Sequence, residues 1–528
     1  MSTLRQSPAW QGLQTLASEQ ASTANRAQTS PAAAIPICAE VGGLHLDASG
    51  QQLSQPVFDA LLQLVQERKV ADWTHRMLQG EAINQSEQRP VLHAALRAQT
   101  HDQHCDSGAI SEALAARQSM RRLIDQACSG ALTGTPVRHV INIGIGGSDN
   151  GPRLACTALR TALLPDMDVR FAANLDPADL HSALQGVDPA ATLFIAVSKS
   201  FRTEETLANA RRARDWLQQQ FPSEDSAMLV ARHFIAVTGN SAVASSFGIP
   251  AERVLPLWDW VGGRFSLWSP AGLALAFAIG MDGFEQLLAG ARAMDQHFQS
   301  APIEKNLPLL LAMVDIWNVN FRHADSHAVI PYSHDLRSLP LWLQQLEMES
   351  NGKSIDRDGA LVDYATSPIV WGSAGTDSQH SYHQLLHQGT ALTPVDFILP
   401  LADGKGMAAD RALIANALAQ ATALSHPDSP TRRGRQPWSM LLMQQLDAHN
   451  LGMLLALYEH KVFAEGVIWN LNSFDQPGVE AGKLLAQQIA KGVQPGGVQP
   501  GGVQPGAGKN AEAATDAALA ALVKRALS

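Results

Sequence analysis

Val137-Arg-His-Val-Ile-Asn-Ile-Gly-Ile-Gly-Gly-Ser-Asp149 is the stretch that decides the fold of this chain. The β-branched run from Val137 to Ile143 predicts a short buried strand. It ends in Gly144, Gly146 and Gly147, and a helix is expected to open just after Ser148 and Asp149. Outward from this strand the pattern repeats. Val169–Ala172, Leu193–Val197 and Phe234–Val237 are apolar runs separated by helix-like stretches, and a second series follows at Ala328–Ile330, Ile369–Trp371 and Phe397–Leu399. Strands spaced by helical segments predict βαβ units and parallel sheets. The fold class is therefore α/β, with two α/β domains in tandem joined through the helix-rich region 268–325.

The two ends of the chain read differently. Residues 1–115 are polar and rich in Ala and Gln, with the spacing Phe58, Leu61, Leu62, Leu64, Val65, which predicts a helical N-terminal segment. Near the other end, Val493-Gln-Pro-Gly-Gly recurs with a period of five through Val498 and Val503. Such a Pro/Gly tract cannot bury apolar surface, so 491–508 is expected to be an exposed loop, followed by an Ala-rich helix over 509–528.

Composition removes several functions. The 528 residues carry 39 Lys and Arg against 49 Asp and Glu, a net charge of −10, which argues against a nucleic-acid partner. Cys38, Cys105, Cys128 and Cys156 are scattered with no metal-finger spacing, which fits a reduced, cytoplasmic setting. The longest apolar stretch, Ser266 to Met281, contains Pro270 and is shorter than the roughly 20 residues needed to span a bilayer, so no membrane association is expected. The N-terminus lacks a basic-then-apolar leader.

Four familiar motifs fail on inspection. Gly144-Ile-Gly146-Gly147-Ser148 puts Asp149 where a dinucleotide fingerprint needs its third glycine. Gly352-Lys353-Ser354 resembles the end of a P-loop, but Glu347 stands where its first glycine belongs. Neither a zinc-protease motif nor a nucleophile elbow is present.

Two segments survive and share a design. Gly147 and Ser148 follow one predicted strand; Ser198, Lys199, Ser200, Phe201, Arg202 and Thr203 follow another, and each segment opens a helix. Glycines admit a ligand to the backbone, helix N-termini offer unpaired N–H groups, and hydroxyls add donors without charge. These serines and Thr203 are either ordinary helix caps or a phosphate-monoester site at the carboxyl ends of adjacent strands. Two such loops in one domain favour phosphate. Glu349, before the Ser-Asn-Gly turn, is either a solvated helix end or a general base. Arg264, after Gly262 and Gly263, is either a structural ion pair or a cleft cation. His380 offers an imidazole suited to proton transfer, and Lys483 is either a surface cation or a proton donor.

Six segments in order, GIGGSDNGP, SKSFRTEET, VGGRFSLWS, MESNGKS, GTDSQHSYHQLLHQG and GVIWNLNSFDQPGVEAGK, closely resemble the glucose-6-phosphate isomerase (phosphoglucose isomerase) family, and the stretch from Gly80 through Arg89 and His93 to Arg97 does so too. The likeness runs from about residue 55 to 490. It implies two sugar-isomerase domains, 116–285 with the phosphate-binding loops and 310–490, each a parallel five-stranded sheet flanked by helices. It implies reversible conversion of glucose 6-phosphate to fructose 6-phosphate through a cis-enediol, without metal or organic cofactor. By resemblance, Gly147, Ser148, Ser198, Lys199, Ser200 and Thr203 bind the phosphate and Gln476 touches the sugar. Glu349 matches the base, Arg264 the group that stabilises the enediolate, and His380 and Lys483 the groups that open the ring. The likeness also implies a homodimer in which the partner contributes the histidine. Arg202 and Glu204, where the family usually has threonine and glutamine, are expected to pair with each other, and Pro477 stands where the family usually has tryptophan.

Overall fold

A computed structural model describes residues 4–24, 34–100, 102, 105–425 and 436–479, with a few positions beyond. A compact unit runs to Phe474, and the residues from Asp475 onward belong to a second one. Chain order gives strands β1 (Cys38–Val41), β2 (Leu44–Asp47), β3 (His139–Ile143), β4 (Asp168–Ala172), β5 (Thr192–Val197), β6 (Phe234–Thr238), β7 (Val254–Pro256), β8 (Ser326–Pro331), β9 (Ile369–Trp371), β10 (Val395–Pro400) and β11 (Trp438–Met443). Each of the seven apolar runs read as strands meets one of this set, the first starting two residues before β3.

The first sheet has five strands in the order β4-β3-β5-β6-β7, every pair parallel. β5 and β6 are buried along their whole length, as strands covered by helices on both faces must be. The chain leaves β3 for β4 on one side and returns to β5 on the other. The crevice between the carboxyl ends of β3 and β5 is therefore the point where the winding reverses, the place where open α/β sheets receive ligands.

The second sheet has six strands, β1-β2-β11-β10-β8-β9, where the resemblance implies five. Its last four are parallel, while β1 and β2 form an antiparallel hairpin whose second strand pairs antiparallel with β11. The N-terminal segment is thus not wholly helical. Its helices Pro8–Ala24, Gln55–Glu67 and Val70–Leu78 flank a hairpin closed at Gly42-Gly43, with Gly42 at φ 53°. Each hairpin strand is four residues long, too short for alternation to stand out from the polar composition around it.

The helix Ala448–Ile468 runs through the core and is buried on every side from Asn450 to Ile468. It packs on the helix Leu273–Ser300 and on Leu307–Ile316. Residues 270–300 are long and apolar enough to cross a membrane, longer than the apolar stretch alone suggested. Their most apolar window is 72% buried inside the protein, and Gly280 breaks the helical backbone within it. The repeat at 491–508 lies outside the described residues, as does most of 509–528.

Leu455, fully buried on the central helix, sets a test of this core. Leu455→Ala should lower the free energy of unfolding by about 2–5 kcal/mol in a urea titration, through lost transfer energy and the cavity left behind.

Candidate active site

The loop after β3 forms one wall of the crevice. Gly147 and Ser148 lie in a tight turn, Gly146–Ser148, and the Asn142 side chain donates to the Ser148 carbonyl at 3.0 Å. Gly147 is required there by proximity. A Cβ on it would fall inside the carbonyl of Gly263 and 2.6 Å from the Arg264 backbone nitrogen. The phosphate-type loop and the arginine loop are therefore in backbone contact, and only glycine permits it.

The loop after β5 forms the adjoining wall. Thr203 stands at the N-cap of the helix Glu204–Gln220, yet its side chain caps nothing. Its hydroxyl instead meets that of Ser198 at 2.9 Å. The simple cap reading thus fails at Thr203, and the first N–H groups of this 17-residue helix receive no side-chain cap. Phe201, at φ 51° and almost fully buried, fixes the turn, and the Ser200 hydroxyl accepts from the Arg202 backbone at 3.2 Å.

Lys199 reaches back across the crevice. Its ammonium donates to the carbonyls of Asp259 at 3.0 Å and Val261 at 3.2 Å, and lies 3.6 Å from the Asp259 carboxylate. Partial burial lowers its pKa, with Asp259 opposing the shift. The lysine thus braces the segment that leads into Arg264. Arg202 and Glu204 make no ion pair, contrary to expectation, because they stand two positions apart with both side chains exposed.

Arg264 is the hub. Its side chain is 2% exposed; Nε donates to Ser350 Oγ at 2.7 Å, one terminal nitrogen donates to the Ser473 carbonyl at 2.6 Å, and the other lies 3.3 Å from Glu349 Oε2. Glu349, 24% exposed, closes a π-helical turn, Gln344–Glu349. Such turns mark functional positions more often than regular helix does. Gln345 on the same turn donates to Glu349 Oε2 at 3.1 Å and accepts from Asn150 at 3.0 Å, which ties the carboxylate to the loop after β3. Asn150 and Ser350 lie inside the resembling segments and Gln345 just before one, none with a role read from sequence. Their signal was only adjacency to the residues singled out.

Three expected residues remain. His380 is exposed at the end of a short helix, Gly375–Gln379, and no hydrogen bond or ion pair joins its side chain to Glu349 or Arg264. Gln476 belongs to the separate unit, where Pro477 begins a 3₁₀ turn. Lys483 lies outside the described residues. Among the described residues, one buried group has metal-ligand spacing, Asp315, His327 and Glu347. Lys461 already fills it, with Nζ 2.7 Å from Asp315 and 3.0 Å from Glu347.

Fold and site together define an α/β enzyme with an uncapped helix start in a crevice beside a carboxylate–guanidinium centre. Residues 47–500 match the family model described as phosphoglucose isomerase, so the chain belongs to the phosphoglucose isomerase family. Glucose-6-phosphate isomerase of Dechloromonas aromatica (strain RCB) is 47% identical over 464 residues, covering 85% of this chain and 87% of that protein. The enzyme of that name from Shewanella halifaxensis (strain HAW-EB4) is 40% identical over 519 residues, covering 93% and 95%. The crystal structure of a glucose-6-phosphate isomerase from Chlamydia trachomatis superimposes with a TM-score of 0.82 at 35% identity, covering 93% of this chain and 96% of that one.

Gly147→Ala tests the contact between the two loops. The added methyl has no space, so the protein should lose about 1–3 kcal/mol of stability, measured as a lower Tm. An unchanged Tm would mean the loops part freely.

Proposed function

We propose that this protein interconverts glucose 6-phosphate and fructose 6-phosphate by moving a proton between C1 and C2. The observation that carries the reading is the pair of Glu349 and Arg264, 3.3 Å apart beside two hydroxyl-rich loops at the reversal point of the sheet. The phosphate group docks at the uncapped helix start, with donors from Gly147, Ser148, Ser198, Ser200 and Thr203. Lys199 adds positive potential from the loop it braces.

With the phosphate fixed, the sugar's reacting carbons lie toward Glu349. Starting from the aldose, the Glu349 carboxylate takes the C2 proton, the C2–H electron pair forms the C1–C2 double bond, and the carbonyl electrons pass to O1. The resulting enediolate faces Arg264. A guanidinium suits this role because it remains charged and does not compete for the proton. The carboxylic acid then returns its proton to C1, which takes it with the C1–C2 double-bond pair, while the O2–H proton is transferred to O1 and the electron pair it leaves on O2 forms the C2 carbonyl. Net charge and atoms are conserved, as an isomerisation requires.

Ring opening precedes this step. His380 and Lys483 are assigned to it by resemblance, handling the ring-oxygen and hydroxyl protons, and Gln476 contacts the sugar. An exposed His380 without a bond to Glu349 or Arg264 supports a homodimer in which each site borrows the histidine of the other subunit. The setting is cytoplasmic in this reading.

Glu349→Gln keeps the shape and removes the base. Isomerisation of fructose 6-phosphate, assayed in EDTA without added cofactor, should fall about 10²–10⁴-fold in kcat while sugar-phosphate binding persists. Near-native kcat would overturn the base assignment. Ser148→Ala removes one uncharged donor from the phosphate and should chiefly raise KM; a fall confined to kcat would place Ser148 elsewhere.

A further inference from the structure

Arg264 is held from behind by a chain of buried polar groups that the reaction does not touch. The Ser473 carbonyl that accepts from Arg264 belongs to a residue whose hydroxyl donates to Asn351 Oδ1 at 2.7 Å. The Asn351 amide donates to the Val462 carbonyl at 2.9 Å and to Glu465 Oε2 at 3.4 Å. Glu465 lies 2.9 Å from Lys461 Nζ, the ammonium that also meets Asp315 and Glu347. Asp315 in turn faces His327 at 3.3 Å. The far nitrogen of His327 faces Asp396 at 3.4 Å, and the Tyr458 hydroxyl donates to Asp396 at 3.1 Å. Every one of these side chains is buried.

Two independent features mark the junction as built for close fit. Gly466 sits inside the buried central helix, where glycine weakens a helix relative to alanine. A Cβ there would overlap the Ser473 hydroxyl and come within 3.0 Å of Asn351 Oδ1. The glycine thus makes room for the serine–asparagine pair. Second, Ser350, the neighbour of Asn351, takes Nε of the same Arg264. One anchored segment therefore grips the guanidinium directly through Ser350 and indirectly through Ser473.

The cage behind this junction is stiff. Four carboxylates surround one ammonium and one imidazole, and breaking such buried pairs singly is costly. Burial alone would strip Lys461 of its proton, but Asp315, Glu347 and Glu465 outweigh it and hold its pKa well above the usual value. Burial, reinforced by Asp315 and Glu347 against the pull of Lys461, pushes Glu465 well above the ordinary carboxyl range.

We propose that Asn351 and Ser473 are positioning residues for the reaction, bracing Arg264 against the Lys461 cage at the spot where enediolate charge develops. The inference rests on the isomerase reading. Donors aimed in advance at developing charge contribute to rate only while their placement holds, and a 1 Å error can cost about 100-fold.

The test is Ser473→Ala in the full-length protein, which removes the hydroxyl and leaves the carbonyl that Arg264 uses. kcat and kcat/KM for fructose 6-phosphate should fall together by about 10-fold or more, with KM within about two-fold of wild type. Gly466→Ala, which crowds the same pair from the helix side, should give the same signature and serves if Ser473→Ala does not fold. A lower Tm with unchanged kcat would show a merely structural junction and overturn the proposal, as would a rise in KM alone. Inactive wild-type protein would overturn the isomerase reading itself, a result separable from any effect of the variants.

Discussion

The site depends on one constraint, the seating of a buried guanidinium between segments that come from distant parts of the chain. Arg264 has almost no contact with solvent, and it is held by Ser350, Ser473 and Glu349 together. A charge so buried is tolerated only with partners on several sides. That requirement fixes where the loop 261–266, the turn ending at Glu349 and the stretch at Ser473 must meet. Gly147 then sets how near the loop after β3 can approach, because its missing side chain lets it touch Gly263.

The segment bearing Arg264 is also held farther along. Trp268 donates to Glu459 at 2.8 Å, and Glu459 is gripped by Arg97 at 2.6 Å, itself paired with Asp295. Burial pushes the Glu459 carboxyl up to about 7 against the pull of Arg97. Glu459 and Lys461 both project from the central helix Ala448–Ile468, so one helix supports the arginine loop at two places. The crevice beside it, by contrast, is left with helix starts that no side chain caps. Rigid support beneath and uncapped donors above are what the proposed phosphate site and transient anion require.

Much of this was legible in the sequence, and the reasons are local. A β-branched run followed by glycines and hydroxyl residues names a strand, a close backbone approach and a helix start without reference to the rest of the chain. The hairpin β1–β2 was not legible, since it completes a sheet whose other strands begin almost 280 residues later. Lys199 was assigned to the phosphate by resemblance; its contacts to the loop at Asp259–Val261 had no signal in the sequence. The Lys461 cage did leave a trace. Glu459, His460, Lys461 and Glu465 interrupt an apolar helix, and charges inside a buried helix must find one another. Asn351 and Ser473 left none beyond their place in motifs, because their roles arise only when the helix brings Gly466 between them.

The most direct test of the central claim is the fate of the migrating hydrogen. Fructose 6-phosphate is converted by the wild-type protein in D2O, and carbon 2 of the glucose 6-phosphate formed is examined by NMR. Proton transfer through Glu349, whose carboxyl is 24% exposed, predicts deuterium at carbon 2 in part of the product, since the carboxylic acid can exchange before it returns the proton. Product without any deuterium at carbon 2 would mean that the hydrogen moves directly between the carbons, and would contradict an enediolate held by Arg264.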